Sequence, residues 1–447
     1  MSGRALPGRI WLTLRRAAER AGGRTETVKD RVLEDLRSGV TFTGNFTQQE
    51  PIPEAGIAAA LEVLRHGRLH RYNTVPGEAG EACLLEEEFA AFTGARYCLA
   101  VASGGYAMGC ALRAAGLEPG EAVLTNAFTL APVPGAIAAA GGRPVFVEIT
   151  DDLVLDFADL ARKAAASGAK LLLLSHMRGH VCDMPALIRL CDQLGVRVIE
   201  DCAHTMGAEW EGVPSGRHGL IGCYSTQTYK HMNSGEGGLL ITDDAEMAAR
   251  MVLLSGSYML YTRHRAAPGP EAFEQLKLDV PNVSGRMDNL RAAILRPQVA
   301  LLPARAAAWT ALYRAMEQGL ADVPGLRLIG RPEAERHVAS SFQFLLPGWE
   351  EGRITALMAR CVARGVELKW FGAEDPVAFT SRYPHWRYAG AQSCPATDRI
   401  LAGLMDMRLP LSFSPEDAAL IARIIREEVL LLGQAEEFEP AAAPDID

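Results

Sequence analysis

The sequence predicts an α/β protein, with a mostly parallel sheet in a large domain and a smaller C-terminal α+β domain. Short apolar runs that suit buried strands alternate with segments of helical apolar spacing from residue 96 onward. Such alternation is typical of βαβ units, whose right-handed crossovers build a parallel sheet. At 447 residues the chain is long enough for one large domain and one smaller domain.

The predicted elements of the large domain follow one another in a regular order. Helical spacing covers 57–66 and 84–92, ahead of the alternating region. Apolar runs then predict six strands, at 96–102, 121–125, 144–148, 171–175, 196–200 and 239–242. Helices are predicted between the first three of these strands, at 106–115 and 132–140.

A second group of elements predicts the smaller domain. Residues 286–319 have the spacing of a long helical bridge into it. Beyond the bridge we expect strands and helices, at 342–346, 354–364, 366–370 and 415–432. The predicted division of the chain is an N-terminal arm and helix over 1–75, a large domain over 76–310, a small domain over 311–435 and a flexible tail over 436–447.

The first 24 residues form a basic segment, with six arginines and one acidic residue around Ile10, Trp11, Leu12 and Leu14. This pattern suits an interfacial membrane helix. It also suits an amphipathic arm that packs on its own dimer or stays loose, and we favour this second interpretation. The tail is rich in Pro, Ala and Asp and has little to bury.

Composition excludes several classes of function. The net charge is −9, without a large Lys/Arg block in the body of the chain, so we expect no nucleic-acid partner. The nine cysteines have no paired CxxC spacing, which favours buried free thiols over disulfides or a metal site. The sequence has neither a run of about 18 apolar residues nor a signal peptide, so we expect a cytoplasmic protein. A G-x-G-x-x-G opening a helix is also missing, which argues against a nicotinamide dehydrogenase.

Two residues at the ends of predicted elements indicate a chemical site. Asp201 follows the apolar run 196–199, and α/β sheets bind ligands beyond the carboxyl ends of such strands. Lys230 follows 29 residues later, in a polar and glycine-rich segment over 225–238. An isolated lysine there is usually solvated and an isolated Asp often caps a helix. Together, however, a lysine amine can form a Schiff base with a cofactor aldehyde and a carboxylate can keep a pyridine nitrogen protonated, which predicts a pyridoxal phosphate site.

The segment from Asp201 to Gly238 resembles the DegT/StrS family of fold-type-I pyridoxal-phosphate aminotransferases, which mostly aminate nucleotide-linked keto sugars or cyclitols. Further motifs follow the family's order, at 102–105, 144–148, 176–179, 182–184 and 285–290. The resemblance implies a fold-type-I large domain with a mostly parallel seven-stranded sheet. It also implies an aminotransferase that works as a homodimer with active sites shared across the interface.

The resemblance assigns roles to individual residues. Lys230 would carry the cofactor and transfer protons, and Asp201 would hold the pyridine nitrogen. The cofactor phosphate would lie at a helix start formed by Ser103, Gly104 and Gly105, because a helix N-terminus offers unpaired amides to an anion. Ser225 would bind the same phosphate. His204 would contact the ring hydroxyl. Taken alone, Ser103 could be a simple N-cap and His204 an ordinary buried histidine.

Several positions depart from the family's pattern. Gly105 stands where a threonine is usual, and Leu130 stands where an aromatic residue usually stacks on the cofactor ring, which leaves Phe128 as an alternative. The asparagine that relatives lend to the partner's phosphate is Ser284 here, with Asn282 as an alternative. For Arg286 and Asn289, a supporting role and a role in the site are equally open.

The small domain presents Lys369, Trp370 and Phe371 where relatives meet the acceptor. Lysine would attract an anionic group and the aromatic rings would cover an apolar surface. Alternatively, Trp370 belongs to the core and Lys369 is solvated. His231, which follows Lys230, is a further candidate for a substrate contact.

We therefore predict a pyridoxal-phosphate-dependent aminotransferase that moves an amino group from glutamate or glutamine to a keto sugar, a cyclitol or a related carbonyl acceptor. One alternative is a sugar dehydratase, although histidine replaces the lysine in such relatives and this chain has Lys230. The other alternative is a non-catalytic, cofactor-binding regulatory protein.

Overall fold

The computed structural model describes residues 39–434 of the chain. The predicted basic segment over 1–24 and the predicted tail over 436–447 therefore lie outside the described residues. None of the helices in the described part combines the length and the apolar character needed to cross a bilayer. All nine cysteines are buried free thiols, as predicted.

The described helices and strands alternate through the first two thirds of the chain. The helices are α1 (Glu54–His66), α2 (Glu81–Thr93), α3 (Gly104–Ala114), α4 (Pro132–Ala139), α5 (Phe157–Ser167), α6 (Met184–Leu194), α7 (Ala245–Leu254), α8 (Asn289–Val299), α9 (Leu302–Leu320), α10 (Glu351–Ala363), α11 (Pro395–Ala402) and α12 (Pro415–Gln434). The strands are β1 (Tyr97–Val101), β2 (Ala122–Asn126), β3 (Arg143–Val147), β4 (Leu171–Ser175), β5 (Arg197–Asp201), β6 (Glu209–Trp210), β7 (Val213–Pro214), β8 (Ile221–Ser225), β9 (Gly238–Thr242), β10 (Arg327–Leu328), β11 (Glu335–Arg336), β12 (Ser341–Leu345), β13 (Lys369–Trp370) and β14 (Leu404–Arg408).

The large domain contains a seven-stranded sheet in the order β1-β9-β8-β5-β4-β2-β3. The pairs from β8 to β3 are parallel, and β9 runs antiparallel to both β1 and β8. The predicted mostly parallel, seven-stranded sheet is therefore confirmed. Strand β8 was not among the predicted strands. Its Gly222 lowers strand propensity but is needed there, because a Cβ would lie 2.6 Å from the Gly216 carbonyl oxygen.

Helices cover both faces of this sheet, because alternate residues of each strand point to opposite sides. Leu99 of β1 packs in one cluster with Leu112 of α3, whereas its neighbour Ala100 packs in another with Phe89 of α2. Asp N-caps start four helices of the described chain, α5, α6, α7 and α8, by accepting hydrogen bonds from amides of the first turn. Because β8, β5, β4, β2 and β3 run in the same direction, their carboxyl ends lie at one edge of the sheet.

The small domain is built on a four-stranded antiparallel sheet in the order β10-β12-β14-β13. Helices α9, α10 and α12 pack on it, and Phe42 and Phe46 from the start of the described chain join the same core through Phe413. The predicted α+β character of this domain is confirmed. The three boundaries between the four predicted segments stay predictions, and the one between 310 and 311 falls inside the continuous helix α9.

Two predicted elements of this region differ from the structure. The single helical bridge over 286–319 is wrong, because α8 ends at Val299 and α9 begins at Leu302. Pro303 explains the break, since proline lacks the amide that a helix interior needs but fits the first turn of a new helix. The strand predicted over 366–370 is shorter than expected and spans only Lys369–Trp370.

A buried ion pair ties the segment before α2 to the sheet. Both oxygens of Glu86 accept hydrogen bonds from Arg71, at 2.9 Å each, and Oε1 also accepts the Ala100 amide at 2.8 Å. The ring of His264 lies 3.3 Å from Glu86 Oε2. Although burial disfavours the charge, Arg71 and His264 lower the pKa of Glu86 to about 2. This carboxylate therefore connects α2, β1 and two loops.

We predict that Glu86→Ala lowers the free energy of unfolding by about 3–5 kcal/mol, because it leaves Arg71 buried and unpaired. Chemical denaturation provides the measurement. The matched control is Glu62→Ala, which breaks an exposed pair with Arg65 and should cost less than about 1 kcal/mol. Equal losses in the two variants would contradict this account.

Candidate active site

A cavity of about 700 Å³ opens beyond the carboxyl ends of β4, β5 and β8. Its lining includes the last residue of each of these strands, Ser175, Asp201 and Ser225. Lys369 and Arg408, from strands of the small domain, form part of the opposite wall. The cavity therefore lies where parallel strands commonly present functional groups.

Asp201 is buried at the end of β5 and is held by two hydrogen bonds. Its Oδ2 accepts the Ser175 hydroxyl at 3.1 Å, and its Oδ1 accepts the Ala203 amide at 3.1 Å. The Thr129 hydroxyl donates in turn to Ser175 at 2.8 Å. Burial raises the pKa of Asp201, while the two hydrogen bonds and the nearby Lys230 act in the opposite direction. The carboxylate is therefore fixed in orientation as well as in position.

Ser175 and Thr129 were not predicted as site residues. Ser175 ends the apolar run 171–174, so the available signal was a polar residue at the end of a strand next to β5. Asn126, at the end of β2, exchanges two hydrogen bonds with the Ser175 backbone and fixes the neighbouring strand end. Ser175 thus supports Asp201 from the adjacent strand β4, and Asn126 and Thr129 support Ser175 from the end of β2 and the loop after it.

Lys230 lies in the loop between β8 and β9, with its amine 2.9 Å from Nε2 of His204. Burial lowers the pKa of Lys230 to about 7, and the positive charges of Arg178 and Arg408 add to this effect while Asp201 opposes it. Burial and the charge of Lys230 also push the pKa of His204 well below its usual value. A neutral histidine therefore stands beside an amine that is largely neutral above pH 7.

The start of α3 forms an open cradle next to Ser225. Ser103 is the N-cap, and its hydroxyl accepts the Tyr106 amide at 3.1 Å. A Cβ on Gly104 would lie 2.8 Å from Ser225 Cβ, so only glycine allows this close approach. A Cβ on Gly105 would meet no atom of the described chain closer than 3.9 Å. Free amides and a positive helix end therefore face a space with room for an anion.

The two candidates for the ring-stacking position lie in different places. Leu130 lines the cavity. Phe128 is fully buried behind the wall, where its ring meets Phe371 edge-on at 5.1 Å. Leu130 is thus the member of the pair that a ligand in the cavity would contact.

The residues over 282–289 are not among those that line the cavity of their own chain. Asn282 and Ser284 are exposed. Arg286 donates to the Gly256 carbonyl at 2.7 Å and lies over the Tyr258 ring. Asn289 is buried, donates to the carbonyls at 68 and 70, and accepts the Ala82 amide. Asn289 therefore holds the segment before α2.

Of the residues predicted to contact the acceptor, some line the cavity and others are buried in the core. Lys369 lines the cavity, with its amine 5.9 Å from the centre of the Phe379 ring. Trp370 is buried and donates to the Ala402 carbonyl at 2.7 Å, and Phe371 packs on Phe128. His231 is buried against Trp309, and its ring nitrogens find no hydrogen-bond partner among the described residues. Only Lys369 of these four has direct access to a ligand in the cavity.

Two arginines that were not predicted also line the cavity. Arg178 follows β4 and adopts a φ of 57°, a left-handed conformation that costs a non-glycine residue roughly 1–2 kcal/mol. Arg408 ends β14, donates to the Phe46 carbonyl at 2.9 Å and lies 4.2 Å from the centre of the Tyr229 ring. We call Arg178, Lys369 and Arg408 the cationic wall. A charged residue in the loop three residues after the end of β4 was the available signal for Arg178.

One cluster of metal-ligand types, His176, Glu200 and Cys202, lies beneath the cavity. Glu200 already accepts hydrogen bonds from His176 and from the amides of residues 216, 218 and 219. Although burial opposes ionisation, these bonds keep the pKa of Glu200 below its usual value. The carboxylate is saturated by protein donors, so we assign this cluster to the support of β5.

The chain belongs to the DegT/DnrJ/EryC1/StrS aminotransferase family, which matches residues 52–426. It is 28% identical over 393 residues to a UDP-N-acetyl-3-dehydro-alpha-D-glucosamine 3-aminotransferase of Acidithiobacillus ferrooxidans, a match covering 85% of this chain and 99% of the relative. It is 29% identical over 286 residues to a putative L-glutamine:3-amino-2,3-dideoxy-scyllo-inosose aminotransferase of Micromonospora echinospora, a match covering 63% of this chain and 66% of the relative.

Solved structures agree with this family. The crystal structure of 3-amino-5-hydroxybenzoic acid synthase matches with a TM-score of 0.75 and 25% identity, over 88% of this chain and 100% of the other. The predicted family, its fold and the aminotransferase class are therefore confirmed.

We predict that Lys230 of the cofactor-free protein is acylated by acetic anhydride with a rate that rises through pH 7 and levels off above about pH 8. Only the neutral amine reacts, and burial lowers the pKa of Lys230 from 10.5 to about 7, so the reactive form dominates above that value. Peptide mass spectrometry measures the labelling site by site. Lys170, which is 74% exposed, is the reference for the reagent's own pH dependence. Labelling of Lys230 that follows Lys170 over the whole range would contradict the lowered pKa.

Proposed function

We propose that this aminotransferase uses pyridoxal phosphate to move an amino group from glutamate or glutamine to a keto sugar, a cyclitol ketone or a related carbonyl acceptor. The observation that carries the proposal is that Asp201 and Lys230 line one cavity, with a Lys230 amine whose pKa is about 7. Such a pair can bind the cofactor at two points.

The residues of the cavity fit this cofactor. Its phosphate would lie at the start of α3 against Ser103, Gly104 and Gly105, with Ser225 on the other side. The close approach at Gly104 and the open space at Gly105 leave a cradle for the phosphate. Asp201 would hold the pyridine nitrogen, and Leu130 would cover one face of the ring. His204, beside Lys230, would contact the ring hydroxyl.

When bound, pyridoxal phosphate supplies an electron sink that stabilises negative charge on the substrate carbon next to nitrogen. Asp201 would keep the pyridine nitrogen protonated, and Ser175 would keep that carboxylate aimed at it. Lys230 would accept the proton from the substrate carbon, since a pKa of about 7 leaves a large fraction of its amine neutral at pH 7. It would return that proton to the carbon on the other side of the transferred nitrogen. His204 Nε2, 2.9 Å away, holds the amine in place between the two transfers.

The names of relatives support the choice of substrates. The Acidithiobacillus relative is named for a dehydro amino sugar linked to UDP, and the Micromonospora relative for L-glutamine and an inosose. A cyclic ketone as acceptor is common to both names. Glutamate and glutamine both stay open as donors for this chain. The presence of Lys230 in the cavity favours transamination over the sugar dehydratase and over a purely regulatory protein.

The exposed surface supports a homodimer. Asn282 and Ser284 are exposed and do not line the cavity of their own chain, so either could reach the phosphate of a partner subunit. Tyr258, Met259 and Leu64 of α1 are each more than half exposed. Large apolar side chains at a surface commonly mark an interface. Location in the cytoplasm stays a prediction.

We predict that Asp201→Ala slows amino transfer by far more than tenfold, because an unprotonated pyridine is a poor electron sink. Transfer of isotope-labelled nitrogen from glutamate or glutamine to a panel of cyclic ketones measures the rate. Asp279→Ala, which changes an exposed aspartate, is the matched control. A variant that keeps more than about a tenth of the normal rate, a loss below about 1.4 kcal/mol in barrier, would remove Asp201 from the pyridine nitrogen.

A further inference from the structure

The cationic wall is built on one face of the small-domain sheet. Lys369 of β13 pairs directly with Asp406 of β14, and Arg408 follows Asp406 by two residues. Residues directly opposite or two apart share a face, so these three side chains point to the same side. Arg178 reaches the same place from the large domain, with Nη2 2.7 Å from Asp406 Oδ2. The positive groups are thereby spread over roughly 5–8 Å of the cavity wall.

Arg178 has unused hydrogen-bonding capacity. Its residue is 7% exposed, and its guanidinium lies 5.8 Å from the centre of the Phe371 ring. Despite the ion pair with Asp406, neither Nε nor Nη2 has a well-aligned acceptor among the described residues. Buried guanidinium donors are rarely left without acceptors, because the desolvation cost is then uncompensated. Because Nε and Nη2 are themselves buried, an anion in the cavity would contact the guanidinium at the small part of its surface that remains exposed.

The charges on this wall do not balance. Asp406 is fully buried, and its Oδ1 already accepts the Gln343 amide at 2.8 Å. One fully buried carboxylate therefore faces three cations. Glu367, at an exposed position near Lys369, and the half-buried Glu50 near Arg408 offset part of this positive charge, and Glu236 also lines the cavity at an exposed position. An excess of positive charge in a recessed wall attracts an anionic ligand.

The wall lies close to the reacting groups. Arg178 and Arg408 are near enough to Lys230 to lower its pKa, so an anion bound to them lies near the carbon that reacts. The Phe379 ring beside Lys369 offers an apolar face next to the charges. A cyclic ketone with an anionic substituent on or near its ring has this combination of features.

We infer that Arg178, Lys369 and Arg408 bind a carboxylate carried by the acceptor, so that the natural acceptor is an acidic cyclic ketone such as a keto-uronic acid. Arginine suits this task because its planar fork can donate two parallel hydrogen bonds to a carboxylate. Lys369 adds a second charge from the neighbouring strand. The inference rests on the proposed aminotransferase reaction and narrows its acceptor class.

The test compares 3-oxocyclohexane-1-carboxylate with 3-(hydroxymethyl)cyclohexanone as acceptors for the aminated holoenzyme. These ketones differ in charge and little in size. We expect a kcat/KM ratio in favour of the acid of about tenfold or more in the unmodified protein, carried by KM. Lys369→Met should lower that ratio at least about fivefold. Lys170→Met is the exposed control and should leave the ratio unchanged.

A second variant removes the buried ion pair of Arg178 and Asp406 without leaving either charge unpaired. Arg178→Gln combined with Asp406→Asn replaces two opposite charges by two amides, so folding is not burdened by an unpaired group. It should abolish the preference for the acid. Stopped-flow measurement of the half-reaction with glutamate or glutamine, made separately, shows whether the donor half is affected as strongly.

A binding measurement that needs no turnover accompanies the kinetics. Calorimetric titration of the holoenzyme with cyclohexane carboxylate and with cyclohexylmethanol should show tighter binding of the acid, and the two variants should lose that difference.

An unmodified protein without preference for the acid, or variants that lose both acceptors equally, would overturn the inference. An equal loss in the donor half-reaction would do so as well, because the wall would then serve the donor. If the donor half-reaction is absent in the unmodified protein, the proposed function fails. The calorimetry then still shows whether the cationic wall binds a carboxylate.

Discussion

The candidate active site depends on the burial of two groups in one cavity, the carboxylate of Asp201 and the amine of Lys230, because burial shifts their pKa values in opposite directions. Burial raises the pKa of Asp201 and lowers that of Lys230 to about 7, because both charged forms lose water. The parallel sheet makes this possible, since it brings the ends of β4, β5 and β8 to one edge. Ser175 on the neighbouring strand then fixes the carboxylate, and His204 fixes the amine. Proton transfer at neutral pH needs this combination of burial and fixed geometry.

The two domains divide the work. In the proposed function, the large domain would supply the groups for the chemistry, Asp201, Lys230 and the helix start at Gly104, from strand ends and the loops that follow them. The small domain supplies most of the cationic wall from one sheet face. Arg178 joins the two parts, because it follows β4 and pairs with Asp406 of β14. A site assembled in this way can keep its reaction while the small domain changes the acceptor that fits.

Much of the fold and of the chemical centre could be predicted, because these signals are local. The apolar runs placed β5 and its neighbour β4, although not β8 on the other side, and the spacing of Asp201 and Lys230 identified the pair that lines the cavity. Residues that become neighbours only through the pairing of distant strands were harder to predict. Lys369 and Asp406 are 37 residues apart and become neighbours only through the register of β13 with β14, and β14 itself was not predicted. Phe128, Trp370 and His231 were candidate contacts but are buried in packing, since an aromatic side chain in sequence looks the same in a core and in a pocket.

The most direct test of the account asks which lysine carries the cofactor. Holoenzyme reduced with borohydride, digested and analysed by mass spectrometry should show pyridoxyl phosphate on the peptide that contains Lys230. A Lys230→Arg variant should show none, because arginine stays protonated and cannot form the bond. The modification on Lys230 alone is the result that the paired Asp201 and Lys230 predict. Modification of another lysine, or of none in the unmodified protein, would contradict the assignment of this cavity as the active site.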